Sequence, residues 1–298
     1  MLQTRKIGAK HYYEYLPDLS HRCGDIWTSL PSQGLLGIAP ISGLVITPAC
    51  DLANRKTETI IYLPIVPLRS YFCSSGALPE VRSRIFGLLK AGKYDPCVDW
   101  PESKFLPLPR EYIDLAVDRI THHLGAKQRG KAEISALERA ISGFRIVRRI
   151  ANGELGSPPG PDLKSLFGSD WDRIKVDIIT NSYRPDLYFL PKDEQGGGFA
   201  GLANHSLVLF RYPVTAPTEL LDLAQSTPDG SWRDACTNIT KSYPAASAFA
   251  SARPLKVLSL KSEFLSDLLS RYCAVYSRVG SPDFSKHSLL RISAEVDN

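Results

Sequence analysis

The sequence has no long apolar run: stretches such as Leu44–Thr47 and Leu207–Phe210 are only a few residues each, where a membrane span needs about twenty. No membrane association is therefore expected. The N-terminal segment carries basic residues without an apolar stretch behind them, so no secretory signal is expected and a soluble, cytoplasmic protein is. Cys23, Cys50, Cys73, Cys97, Cys236 and Cys273 stand at irregular spacings, with no CxxC and no histidine at finger distance. That excludes a zinc ribbon and a disulfide mini-scaffold and predicts scattered thiols. There is no HxxxH or HExxH. The neighbours His122 and His123 would diverge by about 100° on a helix, too far to share one ion readily, and are better read as charge complementing a helix C-terminus before Gly125. Gly196-Gly-Gly198 with Gly201 lacks the lysine of a phosphate loop and reads as a flexible connection. No internal repeat and no sustained heptad is present. No metal and no organic cofactor is predicted.

What is present is a chain of 298 residues, 43% apolar and 22% charged, a balance that supports a packed core in one large or two ordinary domains. The net charge of +5 is local. Residues 127–149 hold Lys127, Arg129, Lys131, Arg139, Arg145, Arg148 and Arg149 against Glu133 and Glu138; removing these seven and two from the totals of 36 and 31 leaves 29 of each sign. Such a concentration suits a phosphate backbone or an acidic protein surface, and it equally suits a solvated helix face.

Local patterning divides the chain. Residues 24–72 carry β-branched runs bounded by Gly, Pro, Asn and Asp, which read as short strands of a small barrel or meander. Pro79–Ala91 and Pro109–Leu124 place apolar residues at helical spacing. Ser135-Ala-Leu-Glu138 has the form of a capping box opening a third helix through Leu137, Ile141, Phe144, Val147 and Ile150, with Arg145, Arg148 and Arg149 mainly off its apolar stripe. Strands are expected again at Ile174–Thr180, Asp186–Leu190 and His205–Tyr212. Residues 213–254 are punctuated by proline and carry no assignment. A long amphipathic helix is expected from Ser262, with Phe264, Leu265, Leu268, Leu269, Tyr272, Cys273 and Tyr276. The cluster His11-Tyr-Tyr-Glu-Tyr15 reads either as a strap packing the N-terminal segment or as a base-stacking platform.

The strand segments Gly24-Asp25-Ile26, Gly43-Leu-Val-Ile-Thr-Pro48, Asn54-Arg-Lys-Thr57 and Ile60-Ile-Tyr-Leu-Pro-Ile65, with Ser206-Leu-Val-Leu-Phe-Arg-Tyr-Pro-Val-Thr215 as a closing strand, resemble the MazF/PemK family of toxin ribonucleases. The resemblance covers about 75 residues in two blocks and rests mainly on apolar strands and turns. It implies an α+β fold: a small SH3-like barrel interrupted by a helical insertion, plus the C-terminal amphipathic helix. The expected division is 1–75 and 161–225 for the two parts of the barrel, 76–160 for the insertion with the basic helix, and 226–298 for a Pro-rich segment and the final helix. Members that cut RNA place an arginine before the second strand and a Thr or Ser after the Pro-Ile element. Here those positions read Ala39-Pro-Ile-Ser-Gly43 and Val66-Pro67.

Attack by a ribose 2′-hydroxyl needs a proton acceptor and a cation for the charged phosphorane. Arg55, Lys56 and Arg69 are the nearest substitutes in sequence. Cys50-Asp51 is the most enzyme-like dipeptide, but its thiol needs a base that folding would have to supply. The expected function is a catalytically degenerate MazF/PemK-like protein, binding nucleic acid or a partner protein in a bacterial toxin–antitoxin or phage-defence assembly. The alternatives are an active metal-independent endoribonuclease toxin and a cysteine-dependent hydrolase using Cys50. The expected contact surface is Lys127, Arg129, Lys131, Arg145, Arg148 and Arg149. The expected partner is RNA or other single-stranded nucleic acid, or an acidic protein, with the chain as a homodimer or in a hetero-complex.

Overall fold

The computed structural model describes residues 9–15, 19–32, 34, 39–126, 130–154, 160–193, 201–277 and 285. In chain order the elements are β1 (Tyr13–Tyr15), β2 (Asp25–Leu30), β3 (Ile41–Val45), α1 (Ala49–Ala53), β4 (Thr59–Pro67), α2 (Leu68–Tyr71), α3 (Leu78–Ala91), α4 (Arg110–Ala126), α5 (Lys131–Ala151), α6 (Gly160–Phe167) and α7 (Asp170–Ile179). After these come β5 (Leu187–Leu190), β6 (Ser206–Leu209), β7 (Val214–Pro217), α8 (Thr218–Ser226), α9 (Trp232–Thr240), β8 (Leu255–Leu260) and α10 (Ser262–Tyr276). No helix among the described residues is long and apolar enough to cross a membrane.

All the strand pairs are antiparallel, and the strand order is β1-β8-β2-β3-β4-β6-β5, with β7 also pairing β4. β4 organises the sheet because it is long enough to pair β3 along one edge and both β6 and β7 along the other. The two sequence blocks 24–72 and 206–215 therefore meet in one sheet. Side chains alternate along β4: Ile60, Tyr62 and Val66 face one core, Leu63 and Ile65 the other, as the two-residue period of a strand requires. The sheet curls as an open half-barrel. Its terminal strand β1 reaches the chain following β5 at the opposite end, where Tyr13 Oη donates to the Pro191 carbonyl at 2.5 Å and Tyr15 Oη to Asp193 Oδ1 at 2.7 Å. The N-terminal aromatic cluster is thus a strap. Tyr13 is buried and Tyr12 stacks on Phe264 at 3.9 Å, so these rings are used inside the fold.

Helices cover one face of the sheet, with α5 packed between α3, α4 and α6. Gly143 permits the close approach there: a Cβ at this position would lie 2.6 Å from Ile85 Cγ1 and 3.0 Å from Leu166 Cδ1. The other face buries Phe264 and Leu268 of α10, with Leu265, Leu269 and Tyr272 partly buried around them.

Three expectations are corrected. Ile174–Thr180 belongs to α7 rather than to a strand. Ile174 and Ile178, one helical turn apart, are buried, Val176 and Ile179 are exposed, and Asp170 and Asp172 complement the helix N-terminus. The apparent alternation of Ile174, Val176 and Ile178 is divided between two helix faces. Ser135-Ala-Leu-Glu138 does not cap α5, which begins at Lys131 with Gly130 as N-cap; the preceding Lys-Ala-Glu-Ile turn is itself helix-forming, and Glu133 in it pairs with Lys93 at 2.7 Å. The segment after residue 226 contributes β8, which hydrogen-bonds to both β1 and β2, so it is part of the sheet and more than a linker to a helix.

Candidate functional site

The sequence candidates near the barrel separate once folded. Cys50 and Asp51 lie on the single-turn helix α1, which follows Pro48. The exposed Cys50 Sγ lies 3.6 Å from Asp51 Oδ1, while Asn54 Nδ2 donates to the Cys50 carbonyl at 2.7 Å and the Lys56 amide to the Asp51 carbonyl at 2.9 Å. The motif is occupied in closing its own loop, where Arg55 takes a left-handed φ of 48°. Lys56 and Arg69 are exposed, Arg69 on α2.

α1 turns its other side, Ala49, Leu52 and Ala53, toward a cleft of about 800 Å³. The remaining walls come from the turn before β2, the loop entering β4, the start of α8 and Tyr243. Arg22 and Arg55 line it, as do Glu58, Glu219 and Asp222; Cys50 is not among its lining residues. At one side His21 Nε2 meets Asp222 Oδ1 at 2.8 Å, and the ring leans on Trp27 with centroids 5.7 Å apart. His21 Nδ1 is buried without a hydrogen-bond partner among the described residues. One nitrogen is bound to the carboxylate and the other is enclosed, so this histidine presents no proton acceptor to the cleft. Cys23, also on the wall, has its thiol pushed up to about 11 by burial and by the nearby Asp25 carboxylate, which keeps it protonated at neutral pH.

A second cavity, of about 670 Å³, is lined by Ser75, Arg211, Tyr212 and Thr215 among others. Tyr243 lines the first cleft and Ala245 the second. Neither the His21–Asp222 pair, 201 positions apart, nor the Arg211 cavity has a spacing signal in the sequence.

Of the basic window, Lys127 and Arg129 lie outside the described residues. Lys131 is exposed at the start of α5. Arg139 is structural: Nε donates to the Ser165 carbonyl at 3.0 Å and an η nitrogen to that of Leu166 at 3.2 Å, closing the end of α6. Arg145 reaches Asp162 at 3.6 Å and Arg148 reaches Asp114 at 3.3 Å. Arg148 and Arg149 are half-buried, and Arg149 lies close enough to Cys73 to offset part of the burial that pushes that thiol up to about 11. Arg145, Arg148 and Arg149 lie off the buried stripe of α5, with the Arg145 side chain 60% and that of Arg148 42% exposed, while the flanking helices α4 and α6 bring a carboxylate near two of them. His123 stacks on Tyr94 at 3.7 Å, and among the described residues no group of three His, Cys, Asp or Glu is placed to hold a metal ion.

No family model, curated protein or solved structure matches this chain.

Proposed function

We propose that the chain is a non-catalytic nucleic-acid-binding protein on a PemK/MazF-like sheet, serving in a bacterial toxin–antitoxin or phage-defence assembly. The observation that carries this reading is the pair of cavities, about 800 and 670 Å³, with Arg22 and Arg55 on the wall of one and Arg211 on the wall of the other. Guanidiniums on the walls of both cavities suit the phosphates of a single strand. Catalysis is the weaker reading, because His21 offers no free nitrogen, Cys50 is tied to Asp51, and Ala39–Gly43 contains no arginine.

The test is fluorescence anisotropy of a labelled single-stranded RNA in EDTA over a range of salt, with the same samples run on a denaturing gel. Binding should weaken with salt at a log–log slope of about 0.7 per phosphate contact, so about two for three arginines. Absence of binding refutes the reading. Discrete cuts replace it with the metal-independent ribonuclease.

A further inference from the structure

We propose that the cavity at Arg211 is a binding site for the phosphate group of a nucleotide or nucleic-acid strand. The proposal deepens the nucleic-acid reading and rests on it for the class of ligand. The geometry rests on an arginine held in place from behind. Arg211 Nε donates to Asp186 Oδ2 at 2.8 Å, and Asp186 is itself fixed by a two-pronged contact from Arg184, Nε to Oδ1 at 2.9 Å and an η nitrogen to Oδ2 at 2.7 Å. Arg184 is anchored in turn by donating to Tyr71 Oη at 2.8 Å. Asp186 is buried, whereas the Arg211 side chain is 57% exposed.

This arrangement consumes one edge of the Arg211 guanidinium and leaves its two η nitrogens without a hydrogen bond among the described residues. A guanidinium pre-oriented by a buried carboxylate loses little freedom when it binds, and its remaining edge matches two oxygens of an oxyanion. The charge pattern agrees. Arg184 lies between Asp186 and Glu80, so the two carboxylates and two guanidiniums balance in sum. On the cavity wall itself, however, Arg211 is charged and no carboxylate is present among the described residues. The first cleft sets Glu58, Glu219 and Asp222 beside Arg22 and Arg55, so of the two the Arg211 cavity has the more uniformly positive wall. A carboxylate ligand would be satisfied by the guanidinium alone. Ser75 and Tyr212 hydrogen-bond each other, which leaves one hydroxyl proton of that pair and the Thr215 hydroxyl on the wall as further donors for the additional oxygens of a phosphate, and about 670 Å³ leaves room for the group that bears it.

The experiment titrates the full chain and its Arg211→Gln and Arg211→Lys variants with inorganic phosphate, with adenosine 5′-monophosphate and with a ten-nucleotide RNA, at constant ionic strength. Asp186 keeps its contact with Arg184 in both variants, and circular dichroism checks that each is folded. Wild type should bind the monophosphate, Arg211→Gln should lose about tenfold or more in affinity, and Arg211→Lys should fall between because it retains charge but not the fork. A monophosphate bound more tightly than inorganic phosphate identifies a nucleotide site; equal affinity identifies a site for the phosphate group alone, and both support the proposal. Wild type that binds neither phosphate nor monophosphate overturns it, as does Arg211→Gln binding them unchanged. The two readings fail separately: Arg211-dependent monophosphate binding without RNA binding removes the nucleic-acid function and keeps the site. RNA binding that ignores Arg211 does the reverse.

Discussion

Replacing Asp25 should destabilise the protein more than any surface change, and the reason is the strand beside it. Asp25 opens β2 and is 1% exposed, and the Lys256 side chain on β8 is 5% exposed. Lys256 Nζ lies 3.0 Å from Asp25 Oδ2 and also donates to the Ser20 carbonyl at 2.6 Å. The same carboxylate accepts from Ser259 Oγ at 2.5 Å and from the Arg22 amide at 2.8 Å. Asp25→Ala leaves a buried ammonium without its counter-ion and two donors without an acceptor, which costs about 3–5 kcal/mol. That is a large part of a typical total of about 5–15 kcal/mol. Asp25→Leu combined with Lys256→Met removes both charges together; it should recover most of the loss, short of about 1–3 kcal/mol for the donors still unsatisfied. Urea unfolding followed by tryptophan fluorescence measures both, since Lys256 Nζ lies 5.8 Å from the centre of the Trp27 ring. A loss below about 1 kcal/mol for Asp25→Ala, or a double variant no more stable than the single one, would refute the buried pair and with it the placement of β8 against β2.

Burial alone would push the Asp186 carboxyl up, but hydrogen bonds from Arg184 and Arg211 hold it below the usual carboxylate range. Its contribution is therefore complete above the unfolded value and is lost as pH falls through the lowered one; comparing urea midpoints at about pH 7 and about pH 3, Asp186→Asn should be less sensitive to acid than wild type, and equal sensitivity would contradict the ion pair. Truncation after Lys261 removes Phe264 and Leu268 from the core beneath α10, each worth about 1.5–3 kcal/mol when fully buried; the shortened chain should melt earlier or aggregate, and unchanged melting would contradict that packing. Reversing Arg148 to Glu sets a like charge against Asp114, the two side chains being 42% and 41% exposed, and should lower stability by no more than about 1 kcal/mol; a larger drop in the melting curve would mean that arginine carries more of the fold than its exposure implies.

Local periodicity made the helices α3 and α4 and the strands β2, β3 and β4 readable, because each buries one consistent set of positions. It failed where one pattern fits two periods. Ile174 and Ile178 satisfy both a strand alternation and a helical turn, and the decision rests with Asp170 and Asp172 at the helix start and with the contact α7 makes with β5. β8 was invisible for a different reason. Its partners Tyr13–Tyr15 and Asp25–Thr28 lie more than two hundred positions away, and nothing in Leu255–Leu260 signals which edge it joins. The candidate cavities share that property: His21 finds Asp222, and Arg211 finds Asp186, only through sheet topology.

The residues behind the family resemblance now have structural roles of their own. Gly24 adopts a φ of 96°, and a Cβ there would stand 3.0 Å from Leu265 Cδ2, so the turn into β2 favours glycine doubly. Asp25 binds Lys256 and Ser259, and Ile26 is fully buried. The same holds at the positions where a cutting enzyme would differ. Val66 follows Pro64-Ile65 and is wholly buried in the core, so a hydroxyl there would meet hydrocarbon rather than substrate. A motif made of core and turn residues constrains how a sheet curls and is silent on what its cavities hold. The functional reading has to rest on side chains outside that motif, which is why Arg22, Arg55 and Arg211 carry it and Gly24-Asp25-Ile26 does not.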